Sequence, residues 1–131
     1  MIPSGLTLDA GALIAIERRS AWMDFVLGEA IEDGRSVTIP AAALAEAWRD
    51  RRSWPLAHLL ASGVVVEPLT EQLAKRAGEL VGRVDGATTI DATVAVSAAQ
   101  RADTVITSDP GDLQRLADDL RSIRVWGLTD D

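Results

Sequence analysis

Five short runs of β-branched and apolar residues divide this chain, and helical patterns fill the gaps between them. The runs are Leu6-Thr7-Leu8, Val37 to Ile39, Val64 to Glu67, Thr104 to Thr107 and Ile123 to Trp126. Strands that alternate with helices pair most readily in parallel, because each helical crossover returns the chain to the same edge of the sheet. The pattern therefore predicts a mainly parallel sheet with helices on both faces.

The helical gaps have readable ends. Ala10 to Arg18 follows the first strand. Ser20 is placed to cap a helix from Ala21 to Glu32, in which Trp22, Phe25, Val26 and Glu29 follow helical spacing, and Asp33-Gly34 stops it. Ala41 to Arg51 is alanine-rich and strongly helical. Ser53 is placed to cap Trp54 to Leu60, which Gly63 ends. Leu73, Ala77, Leu80 and Val81 form the inner face of the helix begun by Thr70-Glu71-Gln72. Thr88 or Thr89 caps a helix carrying Asp91, Val94, Ala95 and Ala98, and Leu113, Leu116 and Leu120 mark the last helix. No repeat, linker or low-complexity segment interrupts this order, and 131 residues, 47% of them hydrophobic, are expected to form a single domain over 1–131.

Four carboxylates fall where apolar strands give way to helices. Asp9 ends the first strand, Glu46 lies in the first turns after the second, Asp91 opens an apolar helix and Asp109 ends Val105-Ile106-Thr107-Ser108. Ligand sites in parallel α/β sheets gather at the carboxyl ends of strands. Carboxylates converging there repel one another unless a cation joins them. An all-oxygen set suits a hard divalent ion such as Mg²⁺ or Mn²⁺, which points to a hydrolase acting on phosphodiesters. Asp9 with Asp91 or Asp109 are the expected direct ligands. Glu46, with its longer reach, is placed to hold the attacking water or a second ion.

Charge and cysteine content narrow the alternatives. Thirteen basic residues against twenty acidic ones leave a net charge of −7, which argues against tight nonspecific binding to nucleic acid. A nuclease remains compatible, since site carboxylates lower the count and bound metal offsets them. Without cysteine there is no disulfide, thiolate zinc site or cysteine nucleophile. The start of the chain has no basic leader and no apolar run is long enough for a membrane, so a soluble, cytoplasmic protein is expected.

In order along the chain, four pieces stand out: Leu8-Asp9-Ala10-Gly11-Ala12-Leu13-Ile14; Ile39-Pro40 followed by Glu46; Ile90-Asp91-Ala92; and Val105-Ile106-Thr107-Ser108-Asp109-Pro110 followed by Asp112-Leu113. Together they resemble a PIN domain, in particular the VapC toxins of bacterial toxin–antitoxin pairs, over essentially the whole chain. The resemblance implies a three-layer α/β/α sandwich. It maps the family's acidic quartet onto Asp9, Glu46, Asp91 and Asp109, and its hydroxyl residue onto Thr107. It further implies Mg²⁺ or Mn²⁺ held by the quartet, hydrolysis of RNA by metal-activated water, a homodimer, and a VapB-like antitoxin whose C-terminal segment covers the acidic cleft.

Each residue also has a structural reading. Asp9 suits a helix N-cap, a role compatible with ligation. Glu46 is expected on a packed helix face unless that face is solvated. Asp91 and Asp112 suit first helical turns, Asp109 a turn with Pro110, and Thr107 a strand interior. Arg18, Arg19, Arg49, Arg51 and Arg52 are candidates for RNA phosphates or for solvated helix ends. Trp22, Trp48 and Trp54 are expected in the core, and Trp48 and Trp54 are the second choice for a groove that takes a partner helix. His58 has no nucleophilic serine beside it and reads as an exposed or half-buried helix residue. Two other phosphoryl enzymes fit poorly. A haloacid-dehalogenase phosphatase needs a second aspartate two residues after Asp9, where Gly11 stands, and a receiver module needs a strand-end lysine, whereas the only lysine, Lys75, lies in a helix. The alternative from another class is an inactive PIN-like module that binds RNA or protein.

Overall fold

The computed structural model describes residues 4–50 and 52–129; 1–3, Arg51 and 130–131 lie outside the described residues. The element order is β1 (Leu6–Leu8), α1 (Ala10–Glu17), α2 (Ala21–Glu32), β2 (Val37–Pro40), α3 (Ala41–Ala47), α4 (Trp54–Leu60), β3 (Val65–Glu67), α5 (Glu71–Arg83), α6 (Thr89–Ala99), β4 (Thr104–Thr107), α7 (Pro110–Leu120) and β5 (Arg124–Gly127). The five strands form one sheet in the order β3-β2-β1-β4-β5, and every pairing is parallel. Thr7 sits level with Thr38 on one side and Val105 on the other. The chain moves outward from β1 through β2 to β3, then returns to pair β4 on the opposite side of β1. That reversal opens a crevice at the carboxyl ends of β1 and β4, where open α/β sheets place their ligands.

Strand alternation sorts the side chains into two cores. Leu6, Leu8, Val37, Ile39 and Ile106 face α1, α2 and α4, packing against Leu13, Met23 and Leu56. Val105 faces the other way, into a core built with Leu80, Leu113 and Leu116. The helix α6 is buried on all sides from Ala92 to Ala98, as an all-round apolar helix should be. The short helix α3 contributes Ala43 to the second core and Ala47 to the first, so it sits at the seam between layers.

The local signals account for most ends. Side-chain oxygens of Asp9, Ser20, Thr70 and Thr88 accept from the N–H groups of Ala12, Met23, Leu73 and Asp91, satisfying donors that the helix leaves open. Thr88 rather than Thr89 is thus the cap of α6. Ser53 occupies the N-cap of α4 without capping it; its hydroxyl donates to Glu17 instead.

Some expectations fail on tertiary grounds. The helix expected from Ala41 to Arg51 ends at Ala47, because Trp48 turns to extended backbone. The Arg49 guanidinium then bonds the carbonyls of Ala45 and Trp48, taking up acceptors at the helix end. In α2 the buried stripe is Met23, Val26 and Ala30, which leaves Phe25 62% exposed. Trp22 and Trp48 do pack against the first core. Trp54 does not. It is 58% exposed, with the Arg19 guanidinium 4.9 Å from its ring centre. Its place is the first turn of a helix whose inward positions are taken by Leu56 and Leu59. Val65 and Val66 are exposed because β3 is an edge strand. Among the described residues no helix is long and apolar enough to cross a membrane.

Candidate functional site

The crevice at the reversal point contains a cavity of about 540 Å³ lined by Asp9, Glu46, Asp91, Asp109 and Asp112. Four separate elements bring these carboxylates together. Asp9 follows β1, Glu46 comes from α3, Asp91 from the first turn of α6, and Asp109 and Asp112 from the start of α7. All four carboxylates expected at a metal site thus face one cavity, and Asp112 joins them. No lysine or arginine among the described residues lines it.

Asp9 is 5% exposed and held on both sides. Its Oδ1 accepts the Ala12 N–H at 2.9 Å. Burial pushes its carboxyl above the ordinary value of 3.8, against the opposing effect of a hydrogen bond with the Thr107 hydroxyl. Thr107 is fully buried, and its oxygen also accepts the Asp109 N–H at 2.8 Å. Its role here is therefore to tie the carboxyl end of β1 to that of β4. Asp91 is half-buried and is likewise raised, first by burial and then by the charges of Asp109, Asp112 and Glu46. Asp109 is exposed and raised chiefly by its hydrogen bond with Asp112, which is lowered by the same contact and by Arg115.

Glu46 is exposed, contrary to a packed face. Ala43 and Ala47 take the buried side of α3, and Glu46 projects at the cavity rim. Asp112 also pairs with Arg115 at 3.0 Å. Arg49 and Arg52 do not line this cavity; Arg49 bonds helix carbonyls and Arg52 pairs with Asp50. Arg51 lies outside the described residues. His58 is exposed on α4 and away from the acids.

As the side chains lie, no three acidic or histidine groups among the described residues are close enough to hold one ion. The donor chemistry still fits a hard cation. Mg²⁺ commonly keeps several waters and takes only one or two carboxylates directly, and Asp9 and Asp91, the two groups raised chiefly by burial, are those whose charge most needs a counter-ion.

Two features were not visible in the linear sequence. Gly11 and Ser108 touch across the crevice: a Cβ on Gly11 would stand 1.9 Å from the Ser108 Oγ. On the far side of α6, Asp103 is 2% exposed, accepts hydrogen bonds from Thr7 and Arg101, and shares Arg101 with Glu67. The Ser97 hydroxyl donates to Glu67 in the same network. Thr7 and Asp103 are 96 positions apart, so no local pattern joins them.

A family model for the PIN domain matches residues 6–119, and the chain belongs to that family. Its fold is similar to that of a chain in VapBC2 from Rickettsia felis bound to a DNA fragment from their promoter, with a TM-score of 0.72 at 13% identity over 95% of this chain and 98% of that one. DNA-bound VapBC from Salmonella typhimurium gives 0.71 at 17% identity over 95% and 98%. FitAcB from Neisseria gonorrhoeae gives 0.62 at 17% identity over 92% and 96%. At such identities the likeness is one of fold. No curated protein matches the sequence.

Proposed function

We propose that this chain is a metal-dependent endoribonuclease, the toxin of a VapBC-like toxin–antitoxin pair. The observation that carries the reading is the cavity at the sheet reversal. It brings together the carboxylates of Asp9, Glu46, Asp91, Asp109 and Asp112 with no lining lysine or arginine among the described residues, in a chain of the PIN family. Like charges gathered in a crevice destabilise the free protein, and a cation that binds them recovers that energy.

Asp9 and Asp91 would hold Mg²⁺ or Mn²⁺ directly, with Glu46 and Asp109 acting through water. When bound, the ion supplies charge neutralisation at the phosphodiester and lowers the pKa of nearby water. The chain's own residues do the positioning. The Ala12 N–H and the Thr107 hydroxyl fix the Asp9 carboxylate in one orientation. Thr107 fixes the backbone that presents Asp109. Glu46 at the rim is placed to orient a water and take its proton. The complexes with similar folds support a VapB-like antitoxin as partner and regulator, and a homodimer belongs to the same reading.

The test is cleavage of total RNA by wild type and Asp9→Asn, each with Mg²⁺, Mn²⁺ or EDTA. Asparagine keeps the helix cap. Discrete fragments that need metal, with a loss of at least about a hundredfold in Asp9→Asn, are expected. Near-normal cutting by the folded variant, or by wild type in EDTA, would overturn the assignment. Metal binding with no cleavage of any RNA would favour the inactive binding module.

A further inference from the structure

The acidic cavity has a neighbour. A second cavity, of about 490 Å³, lies on the other side of the Gly11–Ser108 contact, and those two residues line both. Its size falls within the range of about 300–1,000 Å³ typical of small-ligand sites. Ile14, Ala15 and Leu128 give it an apolar wall, and Arg18 stands at its edge.

An ion held by the carboxylates would attract the scissile phosphate, but the flanking stretch of strand gains nothing from that ion and needs cations alongside. The surrounding arginines differ in what they are free to do. Arg19 takes positive φ (64°) and turns toward Trp54. Arg49 bonds helix carbonyls, Arg52 pairs with Asp50, and Arg115 is shared between Asp112 and the Asp85 carbonyl. Arg18 makes no ion pair or side-chain hydrogen bond among the described residues, and it is the cation lining the adjoining cavity. Asp9 and Arg18 cap the two ends of α1, nine residue steps apart, which is about 13.5 Å along the helix axis. That separation suits a phosphate near the scissile one rather than the scissile phosphate itself.

We propose that this second cavity is a substrate subsite. It holds a nucleotide flanking the scissile phosphate of a single-stranded RNA, with Arg18 gripping that nucleotide's phosphate and the apolar wall covering its base. The inference rests on the nuclease reading above. A single strand is required because a paired A-form base is stacked and its edge is withheld from such a wall. Arginine suits the task, since its guanidinium can bind phosphate oxygens in pairs. The Gly11–Ser108 contact is the ridge over which the strand passes between the two cavities. Arg18 is thus a binding residue for the strand, and Arg19, its neighbour in sequence, is not.

The experiment uses whichever RNA wild type cuts from the total pool, labelled and added to wild type, Arg18→Gln, Arg18→Lys and Arg19→Gln. Steady-state kinetics are followed at several salt concentrations. Arg18→Gln is expected to raise KM about tenfold with kcat kept, as loss of a charged hydrogen bond should. Its slope of log affinity against log salt should fall by about 0.7, the value for one phosphate contact on a single strand. Arg18→Lys should recover most of the affinity and Arg19→Gln should match wild type. If Arg18→Gln keeps wild-type KM and slope, or loses kcat alone, the subsite is refuted while the nuclease reading stands. If wild type cuts no RNA under any metal, the nuclease reading falls and the subsite with it.

Discussion

Replacing Gly11 with alanine should destabilise this protein even though Gly11 lies in a helix, where alanine is normally favoured. Two effects oppose each other. Glycine to alanine within a helix gains roughly 0.5–1 kcal/mol from reduced chain entropy. Against this, the new Cβ would lie 1.9 Å from the Ser108 Oγ, 2.5 Å from its Cβ and 3.2 Å from its backbone nitrogen. The hydroxyl can rotate away. The Ser108 Cβ cannot, so β4 and α1 must separate by several tenths of an ångström. Overpacking of this kind costs about 1–3 kcal/mol, which leaves a net loss centred on about 1 kcal/mol. Urea unfolding followed by tryptophan fluorescence measures it, and the m-value should not change. In a Ser108→Gly background the obstructing Cβ is gone, and Gly11→Ala should become neutral or stabilising. The resulting coupling of about 2 kcal/mol lies within what contacting residues show. If Gly11→Ala costs nothing in the wild type, or costs the same without the Ser108 side chain, the close approach across the crevice is wrong. Because Asp109 follows Ser108 directly, the same variant should also lower any activity that depends on the acidic cavity.

Asp103→Asn should cost about 3 kcal/mol, the low end for breaking a buried ion pair, because Arg101 retains Glu67; a loss under 1 kcal/mol in chemical denaturation would contradict the network. In EDTA, stability should fall as pH rises above the ordinary carboxylate value of 3.8. Asp9 and Asp91 are raised in the folded protein, so folded molecules retain protons that unfolded ones release, and the associated stability is lost as pH passes through their folded values. An Asp9→Asn, Asp91→Asn double variant should show a flatter profile of urea midpoint against pH, and parallel profiles would refute the shifts. Adding Mg²⁺ or Mn²⁺ at a hundred times its Kd should stabilise wild type by about 2.7 kcal/mol, read as a rise in Tm that Asp91→Asn lacks.

Strand number, helix order and the parallel arrangement were legible because they depend on near-neighbour patterns. Val37 to Ile39 cannot bury both faces except in a covered sheet, and the capping oxygens of Asp9, Ser20 and Thr70 act within three residues. Three of the carboxylates at the cavity, Asp9, Asp91 and Asp109, were legible because they end a strand or open a helix; Glu46, next to last in α3, carries no such mark and stood out only by following the second strand. Errors arose where a helix met the rest of the protein. The alanine run suggested a long α3, but packing at the layer seam ended it at Ala47. Helical spacing in α2 suggested Phe25 as an inward residue, whereas the observed rotation buries Met23, Val26 and Ala30. Glu46 was expected among the site carboxylates and does stand at the cavity rim, but on the solvated side of α3 rather than on a packed face.

By itself the sequence determined that this chain alternates strands and helices, that its sheet runs parallel, and that Asp9, Asp91 and Asp109 sit at element ends. These follow from side-chain period, chirality and capping, which act over a few residues. Only the tertiary structure decided that β1 pairs with both β2 and β4, and this pairing brings Asp9 to Asp109 across the crevice. It also decided that Gly11 meets Ser108, that Asp103 meets Thr7, and that Arg18 rather than Arg19 lines the neighbouring cavity. The physical reason is that these contacts join residues far apart along the chain. Their positions depend on how whole layers pack, and no short-range preference encodes that packing.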